Sequence, residues 1–209
     1  MISIENLSLA SCYLAARYLP GDEGQYDWSS EQVEKQVKQL IAAFMREYES
    51  QGENELGKGY SSFRIGSISV KDEDDDRVFL DGHQLFITLA LLLICIYNWH
   101  GDGPDRIRLE TYLFYEDLDE CHITDFHPYG HYMKGMIQGV YKEGRQAFAP
   151  ARNLVSRYRT IQNCLQEIGE EALPFFCRWL LHHTHLEVIT AECDKEARVL
   201  QRLRQVYGS

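Results

Sequence analysis

The chain of 209 residues carries 21 Lys and Arg against 32 Asp and Glu, a formal charge of −11, with 44% hydrophobic and 25% charged residues. That composition describes one soluble globular domain or two small ones, and a chain of this length buries roughly 70% of its unfolded surface, so folding needs no disulfide or metal staple. The acidic balance argues against a sequence-independent grip on nucleic-acid phosphates, which needs a basic footprint, although a local basic face can coexist with an acidic whole.

In chain order, Leu7, Leu9, Tyr13, Leu14 and Leu19 predict a short helix over the first 19 residues, ending at Pro20. Met1-Ile2-Ser3-Ile4-Glu5 has no basic n-region, so no secretory signal is read and a reducing cytoplasm is expected. Residues 21–25 read as a loop. Ser29-Ser30-Glu31-Gln32 is a capping box, and Val33, Val37, Leu40, Ile41 and Phe44 predict an amphipathic helix to about Glu49. Gln51 to Tyr60 is a glycine-containing connection. Phe63 to Val70 alternates as a strand does, Arg77 to Leu80 is a second strand, and Lys71 to Asp76 is the hairpin tip between them. The five consecutive acids of that tip, 72–76, lack EF-hand spacing and read as a solvated loop. The apolar run from Leu85 to Tyr97 is too short to span a bilayer, which takes about 20 residues, and predicts a buried helix.

Arg106 to Phe114 suits a strand by its alternation and a helix by its neighbours. Met133 to Tyr141, Leu154 to Ile168 and Leu173 to Leu181 predict helices. His185 to Thr190 predicts a strand, and Asp194 a cap for a closing helix through Val199, Leu200 and Leu203. The pattern is α+β: a small mixed sheet with flanking helices over residues 1–100, and a mainly helical half, 101–209, packed on it as one unit and returning a strand at about 185–190.

Six cysteines, Cys12, Cys95, Cys121, Cys164, Cys177 and Cys193, stand singly, which removes zinc-ribbon and thioredoxin-type readings. Cys121, His122, His127 and His131 are the densest group of metal-ligand types but match no zinc spacing, so no metal is expected. His183 and His185 would share a strand face. The late basic residues Lys142, Arg145, Arg152, Arg157 and Arg159, with Arg198, Arg202 and Arg204 on the last helix, read as exposed cations offsetting nearby acids.

The most informative stretch is Val78-Phe79-Leu80-Asp81-Gly82-His83-Gln84-Leu85-Phe86-Ile87-Thr88-Leu89, a strand that turns through Asp-Gly straight into an apolar helix. Amides at such a junction can bind an anion, and the glycine lets a backbone approach closely. These residues resemble the N-terminal domain of GmrSD-type restriction endonucleases, whose strand leads into Asp-Gly-Gln-Gln-Arg and then Leu-Thr-Thr-Leu. Asp81, Gly82, Gln84, Thr88 and Leu89 match. Leu19-Pro20 through Tyr26-Asp27-Trp28 resembles the family's opening Ile-Pro-x-Tyr-Gln-Arg-x-Tyr-x-Trp, and Gly66, Ser67 and Ile68 its Phe-Leu-Gly-Ser-Ile. Trp179 to Val199 resembles the approach to the family's closing Phe-Glu-x-x-Asn-x-x-Gly.

The resemblance implies a ParB/sulfiredoxin-like fold and a nucleotide site drawn from Asp81, Gly82, His83, Gln84, Thr88, Tyr26 and Trp28. In this chain that site is degenerate. The family's first Gln is His83, its Arg is Leu85, its earlier Gln-Arg is Glu23-Gly24, and its closing Glu, Asn and Gly are Gln201, Arg204 and Tyr207. A leucine supplies neither the charge nor the forked donors that hold phosphate, and an acid in place of a cation repels it. The resemblance therefore implies a nonenzymatic regulatory or partner-binding protein linked to bacterial or phage DNA restriction and defence. It implies no catalytic residue, no resident cofactor, a nuclease or restriction subunit as partner, no direct nucleic-acid binding, and no nuclease half. Two alternatives stay open. One is a nucleoside triphosphatase that binds nucleotide with magnesium and takes its cation from Arg64 or Arg204. The other is an acidic DNA mimic, using the hairpin tip with Glu110, Glu116, Asp117, Asp119 and Glu120, that inhibits a basic nuclease.

Overall fold

The first strand lies where the sequence predicts a helix. Residues Ile2–Ser8 form β1, Leu9–Ala15 form α1 and Arg17–Leu19 form β2. Ser8 ends the strand and caps the helix, its side chain accepting the Ser11 amide at 3.1 Å. The strand wins upstream because Ile2 to Ser8 pairs antiparallel with Ala191 to His185 along its whole length, a distant partner that outweighs local apolar spacing.

The computed structural model describes residues 1–21, 26–51, 59–74, 76–99, 109, 112–113, 129–138 and 149–207; within these, the side chains of 51, 131, 149–151 and 204–207 are not described. The predicted connection at 51–60 lies mostly outside these residues, as does most of the loop at 21–25. Of the ambiguous segment 106–114, Leu109, Tyr112 and Leu113 are described, and they are helical.

Helix α2 (Ser30–Gln51) opens on the capping box: the Gln32 amide donates to Ser29 Oγ at 3.2 Å, and the Ser29 amide to Gln32 Oε1 at 2.7 Å. Strands β3 (Phe63–Glu73) and β4 (Asp76–Asp81) form a hairpin with a tighter tip than the predicted loop, so four of the five acids stand in strands or beside the turn. Three of them are paired with cations. Arg17 donates two bonds of 2.8 Å to Asp76, Lys71 holds Glu73 at 2.7 Å, and Arg77 lies 3.3 Å from Asp72. Next come α3 (His83–Trp99), α4 (Gly130–Ile137), α5 (Ala149–Leu165), α6 (Leu173–His182), β5 (Thr184–Ala191) and α7 (Asp194–Tyr207). Asp194 is the first residue of α7 rather than its cap. Its carboxylate takes Lys71 at 2.6 Å, and the Cys193 carbonyl receives the Glu196 and Ala197 amides.

The fold is α+β, with a five-stranded mixed sheet in the order β1-β5-β3-β4-β2. Residues Leu186, Val188, Ile68, Val70 and Phe79 alternate onto one face and join the core formed with α1 to α6. Lys71, adjacent to Val70, points to the other face, where α7 crosses β3, β4 and β5. Glu5 of β1 lies 3.6 Å from Arg77 of β4 although β5 and β3 stand between them. Three strand spacings make about 14 Å in a flat sheet, a gap that these two long side chains reach across, and α1 links the two edge strands in sequence. Helix α3 is buried at His83 and from Leu85 to Tyr97. Among the described residues, no helix is long and apolar enough to cross a membrane.

Helix α6 hands over to β5 at His183, which is the turn residue and does not share a strand face with His185. Its backbone amide donates to the Trp179 carbonyl at 2.8 Å, its carbonyl accepts the Phe63 amide at 2.7 Å, and its ring meets Tyr60 edge-on at 5.7 Å. Burial holds His182 and His183 below the usual imidazole range; neighbouring histidines add to this, while Glu47 opposes it at His183. The unfolded chain therefore binds more protons near its own pKa of about 6.5, and stability falls as pH drops through that value. Asp76, Asp194 and Glu196, held low by Arg17, Lys71 and the terminal ammonium respectively, give up their contribution only below about pH 4. The expected result is a urea midpoint that declines between about pH 7.5 and 5.5 and declines less in His183→Gln. A flat wild-type profile over that window would contradict the assignment.

Candidate functional site

The turn between β4 and α3 follows from three residues. Gly82 adopts φ +84, and a Cβ there would lie 2.8 Å from Ile68 Cγ2 and 3.0 Å from both Ile68 Cα and the Ser67 carbonyl oxygen. Only glycine meets both demands. The Gly82 carbonyl accepts the Phe86 amide at 3.1 Å, which starts the helix. Asp81 Oδ1 accepts the Gly82 amide at 2.6 Å, so a carboxylate already stands where an anion would meet the backbone ahead of α3.

Gln84 does not face an open site. Its Oε1 accepts the amides of Asp27 at 3.1 Å and Trp28 at 3.3 Å, while its Nε2 donates to Asp27 Oδ1 at 2.8 Å. Both ends of one carboxamide thus clamp the segment that runs into α2. One turn further, Thr88 Oγ1 donates to the Gln84 carbonyl at 2.8 Å and lies 2.9 Å from the Tyr26 hydroxyl. Tyr26 and Thr88 are each 1% exposed, and burial pushes the Tyr26 phenol far above its ordinary pKa. Trp28 is partly buried against the core. The structure therefore brings Gln84, Thr88, Tyr26 and Trp28 together, one helix turn from Asp81 and Gly82.

His83 and Leu85 point inward and are buried. A Cβ on Gly66 would come within 2.9 Å of Leu85 Cδ2, so the position that holds Arg in the resembled family faces the sheet in this chain. Arg64 is engaged on the sheet with Glu187 at 2.6 Å. The side chain of Arg204 lies outside the described residues, as do Glu23, Gly24, Lys142, Arg145 and the group Cys121, His122 and His127, together with the His131 side chain. The acids 110, 116, 117, 119 and 120 also lie outside.

Two residues of this locus carry no local signal in the sequence. Tyr129 accepts the Tyr26 amide on its hydroxyl from 103 positions away. Arg157, read from the sequence as one exposed cation among several, instead donates its Nε to the Trp28 carbonyl and its Nη1 to Ser30 Oγ at 2.7 Å. Removing a charged donor from a half-buried carbonyl costs about 2 kcal/mol. Arg157→Ala is expected to lose that amount by urea denaturation. Arg157→Lys should recover only part, because an ammonium cannot span both acceptors. Equal stability of wild type and Arg157→Ala would refute the clamp.

A groove of about 220 Å³ opens beside this locus between α2 and α5, lined by Ser30, Glu34, Lys38, Asn163 and Glu167 among others. None of the predicted nucleotide residues lines it. Lys38 spans it, 2.9 Å from Glu34 and 3.2 Å from Glu167. No family model matches the chain, and no curated protein matches it.

Proposed function

We propose that the chain is a degenerate GmrSD N-terminal-type domain, ParB/sulfiredoxin-like in descent, that works in the cytoplasm as a nonenzymatic regulator or partner-binding subunit in DNA restriction and antiviral defence. Its partner is a nuclease or restriction subunit, and it does not grip nucleic acid directly. The observation that carries this reading is the Gln84 carboxamide, whose two ends are occupied by Asp27 and Trp28. Three further features support it: the buried Tyr26–Thr88 pair, Leu85 turned into the core, and the Asp81 carboxylate on the amide ahead of α3. Among the motif residues that outlast the lost cations, Gln84, Thr88, Tyr26 and Trp28 serve the packing of α3 against the 26–28 segment. The DNA-mimic alternative draws less support, because Arg17, Lys71 and Arg77 pair with Asp76, Glu73 and Asp72, three of the hairpin acids it would use.

The test is phosphate release from nucleoside triphosphates with magnesium by the purified chain, read beside Asp81→Asn. The expected rate is that of buffer for both proteins. Hydrolysis by the wild type that Asp81→Asn abolishes would overturn the reading in favour of a nucleoside triphosphatase.

A further inference from the structure

The two edges of the sheet are built differently. β2 is three residues long, its Arg17 is tied to Asp76 by two hydrogen bonds, and Pro20 follows at once. Shortness, charge and proline are the devices that close an edge to another strand. β1 has one of them, the charge on Glu5, and lacks the other two. It runs seven residues without proline or lysine, its register with β5 is unbroken, and among the described residues no strand pairs with its outer side. In an antiparallel pair, every second residue of such a strand turns its N–H and C=O away from the sheet. Exposure at β1 does not alternate: Ile4, Glu5 and Asn6 are exposed in succession, with Ile4 at 65%. Among the described residues the strand has no neighbour on its outer edge, and Ile4 to Asn6 are exposed on both faces.

We propose that β1 is a strand-acceptor edge, at which an extended segment of a protein partner, alternating apolar and basic residues, adds to the sheet as a further strand. Main-chain hydrogen bonds supply the affinity and alternate side chains the specificity in this mode of recognition. The apolar positions of the segment lie beside Ile2 and Ile4, which continue the face of Ala191 and Ile189. The basic positions answer Glu5 and Glu192, which stay 49% and 57% exposed although Arg77 lies 3.6 Å from the first and the terminal ammonium 2.7 Å from the second, on a chain of net charge −11. A second copy fits less well. Pairing Ile4 with its symmetry mate sets the two Glu5 side chains on a cross-strand diagonal and joins two like net charges. The inference names the partner class for the function proposed above and rests on it. Nucleotide hydrolysis would overturn that function and leave strand capture measurable, whereas failed capture would overturn this proposal and leave the hydrolysis result untouched.

The probe is an acetylated, amidated octapeptide alternating valine and lysine, titrated into the isotope-labelled chain while amide exchange is followed by NMR. The expected result is slower exchange, by roughly fivefold or more, at alternate amides of Ile2–Ser8, with affinity falling about tenfold between low and high salt. The same peptide N-methylated on alternate residues should not bind, because it lacks the main-chain donors. A valine–glutamate peptide should not bind either. Ile4→Lys should weaken capture about tenfold with an unchanged melting temperature, since the side chain is exposed. No protection at β1 from the valine–lysine peptide, equal binding of the N-methylated or acidic peptide, or dimerisation of the free chain through β1 would overturn the proposal.

Discussion

Gly82→Ala is expected to destabilise the protein by about 3 to 4 kcal/mol, measured as the shift in urea midpoint at constant slope. Two costs add. A non-glycine residue at φ +84 carries left-handed strain of about 1 to 2 kcal/mol. The new methyl also meets backbone atoms of Ser67 and Ile68 at 3.0 Å, and these belong to β3 and cannot swing away as a side chain would. Forcing such a contact in a packed region costs typically 1 to 3 kcal/mol. Gly169→Ala is the matched control: nothing lies within 4 Å of its added Cβ, and a change within about 0.5 kcal/mol is expected there. If the two alanine variants were equally stable, the account of the turn would be wrong. Loss of Gly82 thus reports on the fold, which is why Asp81→Asn is the substitution that separates chemistry from structure at this locus.

Phe86→Ala is expected to cost about 3 to 5 kcal/mol, the range for truncating a buried aromatic. Phe86 is 2% exposed, and its ring sits 4.8 Å from Tyr13, 4.6 Å from Tyr18 and 5.2 Å from Phe79. One ring thereby ties α1, β2 and β4 to the start of α3. Burial of the same cluster pushes the Tyr18 phenol up to about 12. Phe86→Leu keeps most of the volume and should cost less than about 1.5 kcal/mol. A loss below that figure for Phe86→Ala would mean that the cluster does not hold the elements together.

What the sequence made legible follows the range of the interactions involved. The α+β class, the capping box of α2, the β3–β4 hairpin and the strand-to-helix turn at Asp81-Gly82 rest on neighbours within about four positions, and their patterns survive in a single sequence. The β1-α1-β2 passage did not, because its strand character comes from residues 184–191 while Ile2 and Ile4 stay exposed and show no clean alternation of burial. At the candidate site, the resemblance implies Gln84, Thr88, Tyr26 and Trp28 as nucleotide ligands, and the structure places them in contact with one another. Their use as a clamp depends on Tyr129 and Arg157, at separations of 103 and 129 residues, which no spacing rule reaches. The hairpin acids illustrate the reverse error. A run of like charge reads as a loop, but Arg17, Lys71 and Arg77, arriving from β2, β3 and β4, convert it into paired strands.

The strand order carries a consequence for how the molecule comes into being. β5 lies between β1 and β3, yet it is residues Thr184–Ala191 that form it. During synthesis β1 waits without its neighbour while the roughly 175 residues between Ser8 and Thr184 are made, about 9 to 35 s at typical elongation rates. The sheet closes only when residues Thr184–Ala191 have left the ribosome. Folding is therefore a late, long-range event of high contact order, and a nascent chain with an open β1 is the species that most needs a chaperone's protection.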